Sequence, residues 1–320
     1  MTKKKNILLI GGAGYIGGLT CDRLIKNGFN VTVYDNLLYE TRFFKNVNFV
    51  YGDIRDKDKI LNLSKDYDII VLLAAIVGDL ACDINKKITE DVNYISIANI
   101  CLNINPDKHI IYISTCSVFG QQNGLLNEDS PVMPLSFYAE TKLKAEDCVL
   151  KRNGTVLRLG TVFGMGDTYS RVRLDLVVNT LTARAYKYKE ITISGGNQWR
   201  PIIAVSDVAD YITECCIKKQ HGVYIISKEN ITIQGIAEKI INIIPETKIK
   251  YLDLPDKDIR NYRVDNSKSL SSFNFTPVTT IEYEASKMLK MFNEQRIVNV
   301  GDENYNNCKY LLKITRRNAI

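Results

Sequence analysis

The apolar run Asn6-Ile7-Leu8-Leu9-Ile10 breaks into Gly11-Gly12-Ala13-Gly14-Tyr15-Ile16-Gly17, and no other stretch constrains the fold of this chain so tightly. A buried strand has to end there and a helix to begin. Glycines at 11, 14 and 17 let the backbone turn sharply and approach a ligand closely, while the opening helix presents unpaired N–H groups and the positive end of its dipole. Phe29 to Asp35 reads as a second strand ending in an acid eighteen residues beyond Gly17, the spacing at which a carboxylate reaches ribose hydroxyls. Together these features predict a dinucleotide-binding turn built from Gly11, Gly14, Tyr15, Ile16, Gly17, Asp35 and Asn36. Asp35 repels a 2′-phosphate, and Asn36 and Leu37 offer no cation to neutralise one, so the expected cofactor is NAD.

Further strands are expected at 30–34, 47–51, 69–73, 109–114 and 155–159, separated by helices at 15–27, 56–65, 87–104 and 136–151. Nearly continuous Ile/Leu/Val strands alternating with helices imply an α/β fold, a doubly wound Rossmann-type parallel sheet covered on both faces. A helix over 206–219, starting at a capping Ser206, and a strand at 221–226 are expected to return to it. The pattern assigns 1–160 and 198–226 to an NAD-binding domain, and 161–197 with 227–320 to a smaller, discontinuous substrate-binding domain. The stretch from Asn299 to Ile320 shows no clear amphipathic pattern.

The 42 basic and 36 acidic side chains give a net charge of +6 without a long run of one sign, which argues against a nucleic-acid-binding face. The apolar run after Lys3-Lys4-Lys5 is too short for a signal peptide or a membrane span, so a cytoplasmic protein is expected. Eight cysteines without a Cys-x-x-Cys and only two histidines, His109 and His221, assemble no metal site. Scarce histidine also means that a general acid or base has to come from another side chain.

Tyr138 and Lys142 lie four residues apart on one face of a helix that Ser136 can cap. A phenol with a pKa of ~10 is a poor base at neutral pH, but a nearby cation lowers it by roughly 1–3 units. Tyr138 is therefore the candidate base. Ile111 to Ser114 reads as a strand running into Thr115-Cys116-Ser117, a hydroxyl-rich loop at the sheet's carboxyl end.

The glycine spacing, the Tyr-x-x-x-Lys pair and the segment Ser114-Thr115-Cys116-Ser117-Val118-Phe119-Gly120 resemble the extended branch of the short-chain dehydrogenase/reductase superfamily, which modifies nucleotide sugars. The likeness covers nearly the whole chain. It implies that Thr115 hydrogen-bonds the reacting oxygen, that Tyr138 moves its proton, and that Lys142 also holds the nicotinamide ribose. It further implies adenine contacts from Asp53 and Ile54 and backbone contacts to the cofactor from Leu73, Ala74 and Ala75. Asn93 matches a helix position where a structural hydrogen bond and a cofactor contact are both open.

Gly195 to Val205 is similar to the family segment whose arginine, here Arg200, pairs with a nucleotide sugar's diphosphate, although Pro201 replaces the usual acid. Arg260 matches the second such arginine. Two planar guanidinium groups suit a diphosphate through bidentate charge-assisted bonds. After the catalytic threonine the family's dehydratases carry Asp-Glu, whereas this chain carries Cys116-Ser117. Its decarboxylases carry Glu, and its 3,5-epimerases Cys, at the position of Ser117. Cys116 stands one residue earlier and is expected to point the other way. That leaves epimerisation at C4 or oxidation at C4 with release of a 4-keto sugar. Ala74 to Cys82 and Ser170 to Asn179 resemble a bacterial subgroup acting on GDP-linked heptoses of capsules. The likeness implies 4-dehydrogenation, a GDP-linked sugar as partner, and substrate contacts from Arg173 and Asn179. A non-catalytic dinucleotide sensor is the alternative of a different class, and such proteins typically lose the Tyr-Lys pair.

Helices 87–104 and 136–151 correspond to those that pair across a two-fold axis in relatives. Ile95, Ile100, Leu143 and Val149 are expected to supply the apolar surface of a homodimer or larger homo-oligomer.

Overall fold

The computed structural model describes residues 4–40, 42–252 and 260–318. Seven parallel strands form the large sheet, in the order Gly222–Ile226, Thr155–Leu159, His109–Thr115, Ile69–Leu72, Asn6–Ile10, Asn30–Asp35, Asn48–Tyr51. Side chains alternate across it with the period of two that strands impose. Ile7, Leu9, Ile69, Val71 and Ile111 pack under the helices Gly17–Lys26 and Val205–Lys218. Leu8, Ile10, Ile70, Leu72 and Tyr112 pack on the opposite face under Lys57–Ser64, Ser96–Asn103 and Phe137–Leu150. Burial on both faces is why these strands read as unbroken Ile/Leu/Val runs.

Chain order reverses on either side of Asn6–Ile10, which lies between Asn30–Asp35 and Ile69–Leu72. Ligands in open α/β sheets bind beyond the carboxyl ends of the strands at such a point. A second layer lies across that edge. It contains a three-stranded sheet of Glu229–Thr232, Trp199–Ala204 and Thr161–Phe163, and a pair formed by Lys248–Leu252 with Glu190–Ser194. The helices Val177–Tyr188, Ile233–Ile241 and Ile281–Asn293 pack on it. Gln121–Leu126 pairs with Asn261–Val264.

Two domain assignments change. Residues 199–204 pair with 161–163 and 229–232 and belong to the small layer, because Trp199–Ala204 finds its ladder partners there and not in the large sheet. The helix Ser267–Phe273, expected with the small domain, buries Phe273 in the large sheet's core. Ser206 is not the cap of its helix, which begins at Val205; its hydroxyl instead bonds that of Thr279. Ser136 does cap Phe137–Leu150, accepting from the Ala139 N–H at 3.3 Å. Ile100 and Val149 are buried in the core of this same chain, so they cannot supply an outer apolar face, whereas Ile95 is 40% exposed. Among the described residues no helix is long and apolar enough to cross a membrane.

Candidate active site

A cavity of about 600 Å³ opens at the carboxyl edge, between the large sheet and the small layer. Of the residues singled out in the sequence as catalytic, cofactor-binding or substrate-binding, all but Asn179 line it.

At one end lies the glycine turn. Gly11 has a φ of +85°, and a Cβ there would sit 2.4 Å from the Ala74 nitrogen; at Gly17 it would sit 2.4 Å from the Gly11 carbonyl oxygen. Packing therefore requires both glycines. At Gly14 the nearest atom to an added Cβ is the Gly11 oxygen at 3.5 Å, an ordinary contact. What a side chain at Gly14 would obstruct is the cavity itself, as expected where a phosphate approaches backbone. Asp35 accepts from the Ala13 N–H at 3.0 Å and the Leu37 N–H at 2.8 Å. Burial raises its pKa, and those backbone bonds oppose the rise. Asp53 is fixed by Arg55 Nε at 2.9 Å and by Asn36 Nδ2 at 3.0 Å, and the bond from Arg55 holds its carboxyl down at about 2. Asn93 is structural. Buried in the π-helical turn Asp91–Ile95, it accepts from the Ile76 N–H at 2.8 Å and donates to the Ile76 carbonyl at 2.9 Å, pinning the loop that follows Leu73-Ala74-Ala75.

At the other end His109–Thr115 terminates in a 3-10 turn, Cys116–Phe119. Thr115 Oγ1 accepts from the Ser117 N–H and donates to Ser117 Oγ, both at 3.1 Å, and both residues line the cavity. Cys116 turns away as expected; its buried thiol donates to the Arg158 carbonyl at 3.2 Å, and burial pushes its pKa up.

Tyr138 lines the cavity opposite. Burial pushes its phenol above the usual range, Cys82 and Asp79 add to the rise, and Arg173 and Arg260 oppose it. The expected cation, Lys142, sits one turn deeper with Nζ 4.2 Å from the centroid of the Tyr112 ring. Burial pulls it down to about 7 against the pull of Glu146. The opposing charges at Tyr138 are thus the two arginines, and burial outweighs them. Beneath them, Glu146 pairs with Arg158 at 2.7 Å, both buried, and accepts from Ser114 Oγ, fastening the Tyr138 helix to the strand. Sequence reasoning passed over Glu146, although an acid four residues after Lys142 on the buried helix face was a readable signal.

Arg200 is buried, donating to the Trp199 carbonyl at 2.8 Å and to the Arg260 carbonyl. Arg260 reaches Ser117 Oγ at 3.3 Å and Asp79 Oδ2 at 3.5 Å. Arg173 forks onto Asp175 at 3.0 and 3.1 Å. Asn179 is a correction. Fully buried, it accepts from the Gly164 N–H at 2.8 Å and donates to the Gly164 and Arg173 carbonyls at 2.9 and 2.8 Å, so its amide holds backbone and has no atom left for a substrate. Asp79, Glu40 and residues 306–308 also line the cavity and were not foreseen. Among the described residues no cluster of three His, Cys, Asp or Glu could hold a metal ion.

A Methanocaldococcus jannaschii protein described as "Putative UDP-glucose 4-epimerase" is 31% identical over 220 residues, covering 63% of this chain and 70% of the relative. UDP-glucuronic acid decarboxylase 1 of Danio rerio is 25% identical, over 91% of this chain and 73% of its own. Among solved structures, the Thermotoga maritima UDP-glucose 4-epimerase with UDP-glucose superposes with a TM-score of 0.79 at 23% identity, over 91% of this chain and 99% of the other. The Bacillus anthracis dTDP-glucose 4,6-dehydratase in complex with NAD gives 0.77 at 23%, over 91% and 97%. The sequence profile of the NAD dependent epimerase/dehydratase family matches residues 7–226, which include the glycine turn, the acid after the second strand and the Tyr-Lys pair, so the chain belongs to that family and NAD is its cofactor.

Proposed function

We propose that the protein oxidises the C4 hydroxyl of a nucleoside diphosphate sugar and releases the 4-keto sugar, acting as a GDP-D-glycero-α-D-manno-heptose 4-dehydrogenase in surface polysaccharide synthesis. The observation that carries this reading is the surroundings of Tyr138. Thr115 and Ser117 face the cavity, Cys116 does not, and the nearby carboxylates Asp79 and Asp175 are tied to Arg260 and Arg173. One proton-handling phenol flanked by paired carboxylates suits removal of hydrogen from C4. Dehydration and 3,5-epimerisation need a further acid or base.

In this reading Gly11, Gly14, Tyr15, Ile16 and Gly17 hold the pyrophosphate, Asp35 and Asn36 the adenosine ribose, and Asp53 and Ile54 the adenine. Leu73, Ala74 and Ala75 meet the nicotinamide half through backbone, and NAD supplies the hydride acceptor. Tyr138 takes the proton of the C4 hydroxyl at its phenol oxygen, with Arg173 and Arg260 favouring the phenolate. Thr115 hydrogen-bonds the same oxygen. Lys142 holds the nicotinamide ribose, and Arg200 and Arg260 pair with the diphosphate, Arg260 giving up Ser117 for it while keeping Asp79.

The M. jannaschii likeness favours a second reading, C4 epimerisation. An epimerase returns the hydride to the opposite face of the same carbon and ends with oxidised cofactor, whereas a dehydrogenase lets the ketone go. Nicotinamide absorbance and the C4 signal by NMR, followed together with the GDP-linked heptose, separate them. We expect a 4-keto product with reduced nicotinamide left behind. Inversion at C4 with neither ketone nor reduced cofactor replaces the dehydrogenase with the epimerase.

A further inference from the structure

The chain beyond Asn299 closes one end of the cavity, and it does so from outside residues 7–226. A turn at Glu303–Tyr305 leads into the helix Asn307–Asn318, and Asn306, Asn307 and Cys308 line the cavity. Asn307 is 4% exposed and committed in three directions. Its backbone N–H donates to Asp175 Oδ2 at 2.9 Å, its Nδ2 donates to the Val77 carbonyl at 3.1 Å, and its Oδ1 accepts from Arg171. One side chain thus ties the loop after Ile69–Leu72 to the arginine-bearing segment 171–175. Arg171 also donates to the Asn304 carbonyl and packs over the rings of Tyr39 and Tyr310, at 4.8 and 5.5 Å from their centroids. One turn on, Leu311 is buried with Ile76, Ala81 and Cys82, and both Tyr138 and Cys308 pack against that cluster. The C-terminal helix therefore stands beside the cluster that holds Tyr138, and it also reaches the loop after Asn30–Asp35, where Tyr39 and Tyr310 have ring centroids 5.6 Å apart.

We propose that residues 303–311 form a wall that limits which sugar reaches Tyr138, with Asn307 positioning the wall and Asn306 and Cys308 presenting its selective face. This deepens the functional reading above and rests on it for the presence of a sugar at this end. The two arginines assigned to the diphosphate enter from other elements, Trp199–Ala204 and the approach to Asn261–Val264. A sugar running from them past Tyr138 ends against the wall. Since Asn307 is 4% exposed and commits its amide oxygen and one N–H within the protein, the wall selects by shape more than by hydrogen bonding from that residue.

The test compares nucleotides with and without a sugar on the NAD-loaded protein. Affinities for GDP, GDP-mannose, UDP and UDP-glucose are measured by calorimetry for the parent, Cys308→Trp, Cys308→Ala and Asn307→Ala. Bulk at 308 is expected to weaken the better sugar nucleotide at least tenfold and leave its free nucleoside diphosphate within twofold. Cys308→Ala should leave both within threefold, and Asn307→Ala should weaken only the sugar nucleotide, about three- to tenfold. In the parent itself, alkylation of Cys308 mapped by mass spectrometry should slow at least fivefold with the sugar nucleotide but not with the free diphosphate, with Cys148 as internal reference. That arm needs no variant to fold. Equal weakening of diphosphate and sugar nucleotide by Cys308→Trp, or unchanged alkylation, overturns the wall while leaving the functional reading intact. A parent that binds none of the four nucleotides overturns the functional reading and the wall with it.

Discussion

The two ends of the cavity are built by different means. The glycine end is largely local: within residues 6–35 one strand, one turn, one helix and a second strand supply the close backbone approach and the carboxylate, Gly17 is constrained by the Gly11 carbonyl, and one distant residue, Ala74, constrains Gly11. The phenol end is assembled at long range. Tyr138 is surrounded by Asp79 and Cys82 from the short helix Asp79–Ile84, Arg173 and Arg260 from segments far along the chain and, through a shared apolar cluster, Leu311 from the C-terminal helix. On the function proposed above, the first end sets where the dinucleotide lies, and the second sets what chemistry occurs there.

If the ends divide binding from chemistry, substitutions should separate the two readouts. Tyr138→Phe deletes the phenol oxygen and nothing at the glycine turn. Turnover should fall by ~10²–10⁴, the usual range for loss of a general acid or base, while NAD affinity stays within twofold. Single-turnover rates and cofactor titration on the same preparation check this, and a rate within a few-fold of the parent would show that another group moves the proton.

At the glycine end, two neighbouring glycines should part company. Gly17→Ala drives a Cβ into the Gly11 carbonyl, and overpacking of this kind costs about 1–3 kcal/mol of stability. Gly14→Ala meets only an ordinary contact and should fold like the parent, yet lose most of its NAD affinity because the added methyl stands where backbone faces the cavity. Denaturant melts of the cofactor-free proteins, paired with NAD titration, resolve the two. Equal stability loss in both variants would mean that Gly14 too serves packing alone.

This division also explains what the sequence disclosed. The strand-turn-helix junction, the acid at Asp35 and the capped Tyr138 helix were legible because each depends on residues within a few turns of chain. The placement of Trp199–Ala204 was not, since it depends on ladder partners at 161–163 and 229–232. Asn179 was misassigned for a related reason: a polar residue near a substrate segment gives the same sequence signal whether it faces ligand or, as here, the carbonyls of Gly164 and Arg173. The wall at 303–311 was invisible because its anchor, Asn307, has all its partners more than a hundred residues away.

The smallest expected effect tests whether the phenol end is as dry as its burial implies. Lys142 is pulled down to about 7 in the folded protein, whereas a lysine in an unfolded chain titrates at ~10.4. Between those values the unfolded chain binds a proton that the folded chain does not, so this group makes stability rise with pH across that window. Below it both states are protonated and the penalty for burying the ammonium is present in full; above it both are neutral and the penalty is gone. Lys142→Met keeps most of the side chain's volume and removes the charge. In cofactor-free protein its gain in stability over the parent should therefore be greatest near pH 6 and shrink toward pH 9.5. Asp53→Asn is the matching control from the other end, because Arg55 holds that carboxyl at about 2, and its effect should be flat over the same range. Denaturant melts of parent and both variants at pH 6, 8 and 9.5 are sufficient. A parent-to-Lys142→Met difference as flat as the control's would mean that the ammonium is solvated, and the contrast between a solvent-tolerant binding end and a dry reacting end would fall.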